Sequence, residues 1–492
     1  MTQSNQPICR IAILGGGITG LAAAHELARA RQTGAPIDEF LLEAGERLGG
    51  LIQTEDVEGF TIEAGPDSFL TAKRGASDLC SELGLAASLT GSNDGSRRTL
   101  ILHRGRLEPL PDGLMFFVPT RLVPALGSRL ISFESKFAIL RDALRRRPPV
   151  PRNSDADESV ASLVRRHLGN GVLEAIVDPL MAGVYGGDTE QLSARVLLPR
   201  FVAMEREWGS LVRGMLGAQK TASPAEPLFT TLKRGMAELP RALAARLEEV
   251  SGSADPRVFL SQSVESVEPV AASSRPEAAT GSRPFRYAIR CRGGRSYEAD
   301  AIVFALPATE CARLLAPVSA PASRALAAIP YTPAVVVALG YPRLPKGLPE
   351  SFGFLVPPKE GRKLLACTFV HAKFANRAPA GSALLRCFLG GAHQPDAAMW
   401  SDEELVSVVD RELREILGIA HQPAFRRIYR WPAAMPQYLV GHEKRIAEIE
   451  RSLSGHPGLF LAGNAYGGIG IPDCIGSGRR AARRACEFAA SK

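Results

Sequence analysis

The chain has 492 residues and a net charge of +8, from 59 basic and 51 acidic side chains. Hydrophobic residues make up 45% and charged residues 22%, the balance of a globular protein long enough for two or three domains. No apolar run approaches the ~20 residues that cross a bilayer, residues 1–7 do not resemble a signal peptide, and no nucleic-acid motif accompanies the charge. The eight scattered cysteines lack metal-ligand spacing, so we expect a cytoplasmic protein with reduced thiols and no metal site.

The first predicted element is a buried strand that leads into a glycine-rich turn. Residues 11–14 form a continuous aliphatic run, which is typical of a parallel strand covered on both faces. The next six residues have the form G-x-G-x-x-G. Gly15 allows the tight turn, Gly17 lets backbone N–H groups approach a pyrophosphate, and Gly20 lets helix and strand pack closely. A helix beginning near Ile18 would offer its positive end to the phosphates, so the segment predicts a dinucleotide site.

A second predicted strand, over residues 38–43, ends in a carboxylate. Glu43 can accept both hydroxyls of a ribose, and an acid here disfavours NADP because it would repel the extra phosphate. Arg47 follows in the pattern E-A-x-x-R-x-G-G, placed to neutralise pyrophosphate charge. Gly49 and Gly50 let the chain turn close beneath the cofactor. The alternative for Arg47 is an ordinary solvated surface arginine.

The middle of the chain carries a long segment of helical pattern. Residues 110–228 contain Phe116 and Phe117 as well as the densest basic cluster, residues 145–147, which precedes a proline-rich stretch. We interpret this cluster as a helix end before a proline-stiffened surface loop. The basic excess and the two phenylalanines would let this segment rest on a membrane surface, and an interior helix is equally compatible with the pattern.

The segment that follows predicts a helix over residues 239–250 and then several short strands. Residues 258–260 and 264–267 are interpreted as a strand pair, and residues 271–284 as an exposed hairpin loop. The run over residues 301–306 predicts a strand that Pro307 ends at the edge of the sheet.

The C-terminal part predicts a short buried strand that ends in Gly463 and Asn464. The loop after it is rich in glycine and leads into a basic helix. Such a loop can present backbone N–H groups to a planar ring, and the start of the helix adds positive potential. Beside N1 and the C2 carbonyl of a flavin, this potential would stabilise the anionic reduced ring.

The motifs at residues 15–20 and 43–50 resemble those of the large superfamily of FAD-dependent amine oxidases, phytoene desaturases and porphyrinogen oxidases. Residues 63–66 match a loop usually found beside the flavin in that superfamily. Further stretches narrow the resemblance to the oxygen-dependent protoporphyrinogen and coproporphyrinogen oxidases of haem biosynthesis. In chain order, these stretches are residues 65–70, 110–120, 178–188, 353–357, 431–442 and 470–475.

The resemblance implies an α/β plus α+β protein. It would have a discontinuous Rossmann-type FAD-binding domain, an inserted substrate-binding domain and a helical insert that could face a membrane. The implied boundaries are residues 1–90, 229–312 and 451–492 for the FAD-binding domain, 91–109 and 313–450 for the substrate-binding domain, and 110–228 for the helical insert.

The implied reaction is the oxidation of a porphyrinogen to a porphyrin. Six electrons leave in three flavin cycles, and dioxygen regenerates FAD with release of hydrogen peroxide. Aromatisation drives the reaction, so we assign no catalytic side chain and interpret the isolated histidines as structural. FAD is expected to be non-covalent, because residues 465–468 lack the cysteine that covalent members carry. Two further partners are implied: a membrane surface that the protein would contact peripherally, and ferrochelatase, which would receive the product.

The residues expected at the site fall into two groups. The expected cofactor-binding residues are Gly15, Gly17, Ile18, Thr19, Gly20, Glu43, Ala44, Arg47, Gly49, Gly50, Gly65, Pro66, Asp67, Ser68, Val264, Trp431, Gly463, Asn464, Ile469, Gly470 and Ile471. By resemblance, Leu355 and Phe388 would sandwich the macrocycle and the backbone at Gly183 would lie against a pyrrole; core packing is the alternative for the first two.

The propionate anchor departs from the family pattern. Many relatives have an arginine where this chain has Thr99, with Arg97 and Arg98 adjacent. We nominate Arg98, although a shift of one residue in a strand reverses the face to which a side chain points.

Three other functions remain as alternatives. A flavin amine oxidase would need an aromatic cage, which is not evident where aromatic residues are 6% of the chain. A carotenoid desaturase would need a more hydrophobic substrate channel, and a non-enzymatic flavin protein would bind FAD without turnover. The sequence does not distinguish protoporphyrinogen IX from coproporphyrinogen III, and it does not predict the oligomeric state.

Overall fold

The structure is a computed structural model that describes residues 8–96, 98–145, 156–218, 226–251, 257–270 and 286–491. Residues 146–147 of the basic cluster, Arg97 and the predicted loop over residues 271–284 lie outside the described residues.

The strands of the described residues belong to several small sheets and two large ones. In chain order they are β1 (Cys9–Leu14), β2 (Ile37–Leu42), β3 (Thr54–Val57), β4 (Phe60–Glu63), β5 (Phe69–Leu70), β6 (Leu89–Gly91), β7 (Thr99–His103), β8 (Arg106–Pro109), β9 (Leu114–Met115), β10 (Val118–Pro119), β11 (Phe229–Leu232), β12 (Val258–Phe259), β13 (Val264–Pro269), β14 (Tyr287–Cys291), β15 (Ser296–Ala299), β16 (Ala301–Phe304), β17 (Tyr331–Tyr341), β18 (Gly353–Leu355), β19 (Ala366–Phe369), β20 (Ala383–Gly390), β21 (Phe425–Pro436) and β22 (Leu459–Leu461).

The helices of the same residues lie on the faces of the two large sheets and in a separate group in the middle of the chain. They are α1 (Ile18–Gln32), α2 (Gly75–Glu82), α3 (Leu122–Gly127), α4 (Phe133–Leu144), α5 (Val160–Leu168), α6 (Asn170–Val172), α7 (Asp178–Tyr185), α8 (Ala194–Leu197), α9 (Pro199–Trp208), α10 (Leu211–Ala218), α11 (Glu238–Ser251), α12 (Ala308–Leu315), α13 (Ala320–Ala327), α14 (Val370–Lys373), α15 (Asp402–Leu417), α16 (His442–Leu453) and α17 (Ile471–Ala490). No helix of the described residues is long and apolar enough to cross a membrane.

In the described residues, a five-stranded parallel sheet has the order β12-β2-β1-β16-β22. It therefore collects strands from three separate parts of the chain. The aliphatic side chains of β1 and β16 are buried on both faces, as expected for inner strands of a parallel sheet. Helices α1, α11 and α17 cover one face, and Leu21, Leu243 and Ala482 belong to the same buried core there.

Two predictions about this sheet are wrong. β12 does not pair with β13, because β12 extends the parallel sheet beside β2 while β13 pairs with β14 in another sheet. Pro307 does not mark a sheet edge, since β16 lies between β1 and β22 and the proline instead precedes α12. The four residues of β16 are fully covered, which an edge position would not allow. The helix predicted over residues 239–250 is confirmed as α11.

The second large sheet of the described residues has seven strands in the order β21-β17-β20-β19-β18-β7-β8. Its pairs are antiparallel except for β18 and β7, which run parallel. The sheet joins residues 99–109 to strands that come much later in the chain. Helix α15 packs on one face, where Leu405 and Leu413 are buried with Val335 and Cys387. The other face carries residues that line the cavity described below.

Helices α3 to α10 pack together into one compact unit with its own core, which we call the helical body. Helices α3 to α10 and the π-helical turn Leu173–Val177 bury residues such as Ile139, Leu163, Ile176 and Val212 against one another. Phe117 lies in the β9–β10 hairpin, is 1% exposed, and its ring centroid is 4.8 Å from that of Phe201. Phe117 is therefore part of this core and is available neither as a membrane contact nor as part of an interior helix.

Candidate flavin and substrate site

The glycine-rich turn after β1 has the geometry that its sequence predicts. Gly15 has a φ of +104°, a backbone conformation that favours glycine. A Cβ on Gly20 would lie 1.8 Å from the carbonyl oxygen of Gly15, so only glycine allows α1 to pack this closely. A Cβ on Gly17 would have no atom within 4 Å. The space at Gly17 is open, as expected where a ligand is to approach the backbone.

The carboxylate of Glu43 lies directly beside this turn. The backbone N–H of Gly16 donates to Glu43 Oε2 at 2.6 Å, and that of Gly45 donates to Oε1 at 2.8 Å. Each carboxylate oxygen has further acceptor capacity, which a ribose hydroxyl can use. Residues 261–262 run alongside, because the N–H groups of Ser261 and Gln262 donate to the carbonyls of Gly45 and Glu43. This contact brings the start of β13, with the predicted residue Val264, to the same end of the sheet.

Arg47 is engaged with its own loop. Its guanidinium donates to the carbonyl oxygen of Gly50 at 2.7 Å and to Gln53 Oε1 at 3.1 Å. Gly49 is tied to the glycine-rich turn, since its N–H donates to the Gly16 carbonyl at 2.8 Å. Arg47 therefore orders the loop that passes beneath the turn and adds positive charge near it. Its contact with a pyrophosphate stays a prediction.

A cavity of about 1070 Å³ lies next to these loops, between the two large sheets and the helical body. Of the predicted flavin-side residues, its wall includes Gly65, Pro66, Ser68, Trp431, Asn464, Ile469, Gly470 and Ile471. Of the predicted substrate residues, it includes Gly183 and Phe388. A space of this size is large for a single small ligand, and it borders both predicted groups at once.

The loop over residues 65–68 is held from behind by buried cations. Arg386 Nη2 donates to the Gly65 carbonyl at 2.6 Å, and Arg386 Nη1 lies 3.3 Å from Asp67 Oδ2. Lys373 Nζ lies 3.1 Å from each carboxylate oxygen of Asp67. Burial raises the pKa of Asp67, but Lys373 and Arg386 outweigh this effect and hold the pKa well below its usual range. Asp67 thus faces away from the cavity, and it positions the loop through an ion-paired cluster.

The C-terminal loop is held by a stacked pair of side chains. The rings of Tyr438 and His442 stack with centroids 4.5 Å apart. Tyr438 donates to the Asn464 carbonyl and accepts from the Gly468 N–H at 2.9 Å, while His442 Nε2 lies 3.0 Å from the Ala465 carbonyl. Burial lowers the pKa of His442 to about 4. The ring is therefore neutral near neutral pH, and its Nε2–H donates to the loop.

Trp431 holds the flavin-side loop that follows β4. It lies on β21, and its indole N–H donates to the Ala64 carbonyl at 2.9 Å. Gly463 is fixed on the other side, because its N–H donates to Ser477 Oγ of α17 at 3.1 Å. The predicted cofactor residues at this end of the cavity thus come together from β4, β21, β22 and α17.

The predicted substrate residues are only partly brought together. A Cβ on Gly183 would lie 3.2 Å from Leu355 Cδ2, so these two residues are in contact. The guanidinium of Arg386 lies 5.1 Å from the ring centroid of Phe388. Arg98, however, is exposed and is not on the cavity wall. The reason is topological: β7, which Arg98 precedes, is separated from β20 by β18 and β19.

Several cavity residues were not identified from the sequence. Lys73 forms an ion pair with Asp473, at 2.8 and 2.7 Å from its two carboxylate oxygens. Arg195 lies 3.7 Å from Glu443. Each pair joins parts of the chain that are far apart in sequence, so no local pattern indicates them. The only available signal is that Asp473 and His442 fall inside stretches that carry the family resemblance.

The parallel sheet, its glycine-rich turn and the adjoining cavity define a flavin-dependent oxidoreductase fold of mixed α/β type. Residues 18–486 match the family described as flavin containing amine oxidoreductase. The chain belongs to that family.

Three similar proteins cover almost the whole chain. Coproporphyrinogen III oxidase of Bacillus subtilis (strain 168) is 31% identical over 97% of this chain and 98% of its own length. Protoporphyrinogen oxidase 1, chloroplastic, of Arabidopsis thaliana is 32% identical over 94% of this chain and 85% of its own. A crystal structure from Exiguobacterium sp. 255-15, provisionally named protoporphyrinogen oxidase, superposes with a TM-score of 0.85 at 29% identity, and the match covers 100% of both chains.

Proposed function

We propose that this protein is an FAD-dependent oxidase that converts coproporphyrinogen III to the porphyrin in haem biosynthesis, with dioxygen as the final acceptor. The observation that carries the proposal is the cavity that both flavin-side loops share with Gly183 and Phe388. The choice of coproporphyrinogen III rests on the bacterial relative named for that substrate, which matches over 98% of its length. Protoporphyrinogen IX is the alternative, and handover of the product to ferrochelatase stays a prediction.

The described residues fit FAD in two places. The open space at Gly17, the N-terminus of α1 and the free acceptor sites of Glu43 suit an adenosine diphosphate group. The loops at residues 65–68 and 463–471 suit the ring system at the cavity wall. When bound there, FAD would supply the hydride acceptor and the site of reaction with dioxygen, and it would be non-covalent because Ala465 and Tyr466 offer no thiol.

The protein's own residues then have few chemical tasks. Gly183 leaves room for a flat macrocycle next to Leu355, and Phe388 offers an apolar face to it. The neutral His442 and Tyr438 hold the C-terminal loop, so its N–H groups keep a fixed direction. We assign no side chain as an acid or base, because aromatisation of the macrocycle supplies the driving force of the reaction.

The proposal is tested by aerobic formation of fluorescent porphyrin from each porphyrinogen, corrected for autoxidation. Purified protein should oxidise coproporphyrinogen III faster than protoporphyrinogen IX, with hydrogen peroxide formed in proportion. FAD should appear in the supernatant after denaturation. A protein that retains FAD but oxidises neither substrate above the blank would refute the proposal and favour an amine substrate.

We further propose that the helical body rests on an anionic membrane surface through α4. Phe133, Phe137, Leu140 and Leu144 follow one face of this helix at helical spacing, and Phe133 is 89% exposed. Arg129 on the preceding loop is 84% exposed, and Arg141 on α4 is exposed as well. An apolar stripe beside cations is the pattern of a helix that lies in a lipid interface. The protein would then be cytoplasmic and peripheral.

Sedimentation with lipid vesicles tests this surface. The protein should bind vesicles that contain phosphatidylglycerol more strongly than neutral vesicles, and F133S/F137S should lose most of this binding. M399S is the matched control, because Met399 is 83% exposed but lies outside the helical body. Equal binding of both variants, or no binding of the wild type, would refute the proposed surface.

A further inference from the structure

A second cavity of about 560 Å³ adjoins the large one. Three residues line both of them: Arg195, Pro199 and Glu443. Arg195 lies on α8 of the helical body, and Glu443 lies on α16 on the opposite side of the opening. The second cavity is otherwise bordered by α9, including the charged residues Arg206 and Glu207. The two spaces therefore meet at a junction that carries charged side chains.

The ion pair at this junction is loose. Arg195 Nη1 lies 3.7 Å from Glu443 Oε2, which is longer than a hydrogen bond. The Glu443 side chain is 56% exposed, and that of Arg195 is 23% exposed. Exposed pairs at this distance contribute little. Among the described residues, the guanidinium also donates to the Ala156 carbonyl at 3.3 Å, so Arg195 can exchange Glu443 for another carboxylate at small cost.

The backbone around Arg195 is, in contrast, well fixed. Asp157 accepts from Ser193 Oγ at 2.9 Å and from the Gly441 N–H at 2.9 Å, and so it joins both sides of the junction. The Ser193 N–H also donates to the Tyr438 carbonyl at 2.8 Å. Ser193 caps α8 by accepting from the Val196 N–H. The backbone that carries Arg195 is therefore firmly held, whereas the ion pair between the Arg195 side chain and Glu443 is weak.

The remaining cations on the cavity walls are less suited to bind an anion. Among the described lining residues, these are Lys73 in the large cavity and Arg206 in the small one. Lys73 is already paired with both oxygens of Asp473. Arg206 does not reach the large cavity. Only Arg195 combines contact with both spaces, partial burial and a weak partner.

We infer that Arg195 binds a carboxylate arm of the substrate at the junction of the two cavities, in exchange for Glu443. The inference rests on the proposed function, because a porphyrinogen is what brings carboxylate arms into the large cavity. A guanidinium can hold such an arm with two parallel hydrogen bonds. Arg195 then selects for substrates with a carboxylate on the edge of the ring that faces α8 and α16. It replaces Arg98 as the expected propionate anchor.

Fluorescence titration of the purified flavoprotein with coproporphyrin III tests the inference without turnover. Arg195→Gln should weaken binding roughly 30-fold, the loss expected when one partner of a charged hydrogen bond is removed. Glu443→Gln should bind as tightly as wild type or more tightly, because it frees Arg195. Arg200→Gln, an exposed arginine nearby that lines neither cavity, should bind as wild type does. The tetramethyl ester of coproporphyrin should bind the wild type and Arg195→Gln equally.

Three results would overturn the inference. The first is unchanged binding of coproporphyrin III by Arg195→Gln. The second is equal loss in Arg195→Gln and Glu443→Gln, since a pair that only stabilises the junction would be damaged from either side. A wild type that binds no porphyrin overturns it as well. A wild type that binds porphyrin in the expected pattern but oxidises no porphyrinogen refutes the proposed function and supports the carboxylate site.

Discussion

Lys373 Nζ lies 3.1 Å from each carboxylate oxygen of Asp67. This ion pair joins α14, next to the seven-stranded sheet, to the loop that lines the flavin side of the cavity. Arg386 adds a second cation on Asp67 and also donates to the Gly65 carbonyl. The cluster is mostly buried, so the position of the loop depends on a balance of charges and not on apolar packing alone.

Removing the negative charge should therefore loosen the loop. In Asp67→Asn, two buried cations lose a partner, and we expect a loss of about 3 kcal/mol in the free energy of unfolding, together with weaker retention of FAD. Urea unfolding and the flavin content after gel filtration measure the two effects. D67N/K373M, which removes one charge of each sign, should recover part of the loss. A double variant no better than the single one would contradict this account.

The two glycines of the turn after β1 should respond differently to alanine. Gly20→Ala places a Cβ 1.8 Å from the Gly15 carbonyl oxygen and should prevent normal folding. Gly17→Ala meets no protein atom within 4 Å, so it should fold normally but retain far less FAD. Circular dichroism and flavin content separate the two outcomes. Gly455→Ala is the control, since Gly455 is exposed and its Cβ also has open space. Full FAD content in Gly17→Ala would contradict the assigned cofactor site.

The core of the helical body contains a titratable cluster around His167. Its Nδ1 lies 2.5 Å from Asp142 and its Nε2 2.9 Å from Glu205, and the ring is completely buried. Burial lowers the pKa of His167, but hydrogen bonds to Asp142 and Glu205 outweigh burial and raise it. A raised pKa means that the protonated ring stabilises the folded state fully below its ordinary pKa of about 6.5. This stabilisation is lost as pH rises through the higher folded pKa.

We therefore expect His167→Leu to cost about 3 kcal/mol at about pH 6, because it leaves Asp142 without its cation and leaves Glu205 with Arg166 alone. The difference from wild type should shrink as pH rises through the raised folded pKa of His167, because the wild-type ring then loses its proton. Urea unfolding over a series of pH values above about 6 measures it. A difference that does not change with pH would mean that His167 acts through packing alone.

Gly183 should limit the size of the substrate space. In Gly183→Val, the added carbons meet Leu355 and extend into the cavity. We expect KM for the porphyrinogen to rise roughly tenfold, as for a pocket that must reject extra methyl groups. FAD content and thermal stability show whether Gly183→Val still folds normally. An unchanged KM would place the macrocycle away from Gly183.

Local motifs with a known geometry could be predicted well from the sequence. The turn around Gly15 and Gly20, and the position of Glu43 after β2, depend on residues close in sequence, and the structure places them together. The predicted places of β12 and β16 in the sheet were wrong, because strand order is set by pairing between residues that are far apart in sequence. Phe117 was misjudged because its burial depends on Phe201, which no local pattern indicates.

The charged part of the site was the least predictable. Asp67 belongs to a stretch that carries the family resemblance, but its partners Lys373 and Arg386 lie on elements far away in sequence. The same holds for Arg195 and Glu443, which meet only because the helical body packs against α16. Arg98 was nominated from its distance to a motif, and the sheet order places it elsewhere.

The most direct measurement of the central claim is anaerobic mixing of the flavoprotein with coproporphyrinogen III at about one porphyrinogen for three flavins, because the six electrons of one porphyrinogen reduce three flavins. We expect the visible absorbance of the oxidised flavin to bleach while porphyrin absorbance appears, and readmitted dioxygen to restore the flavin spectrum. Flavin that remains oxidised, while an added chemical reductant still bleaches it, would show that a porphyrinogen is not the electron donor of this protein.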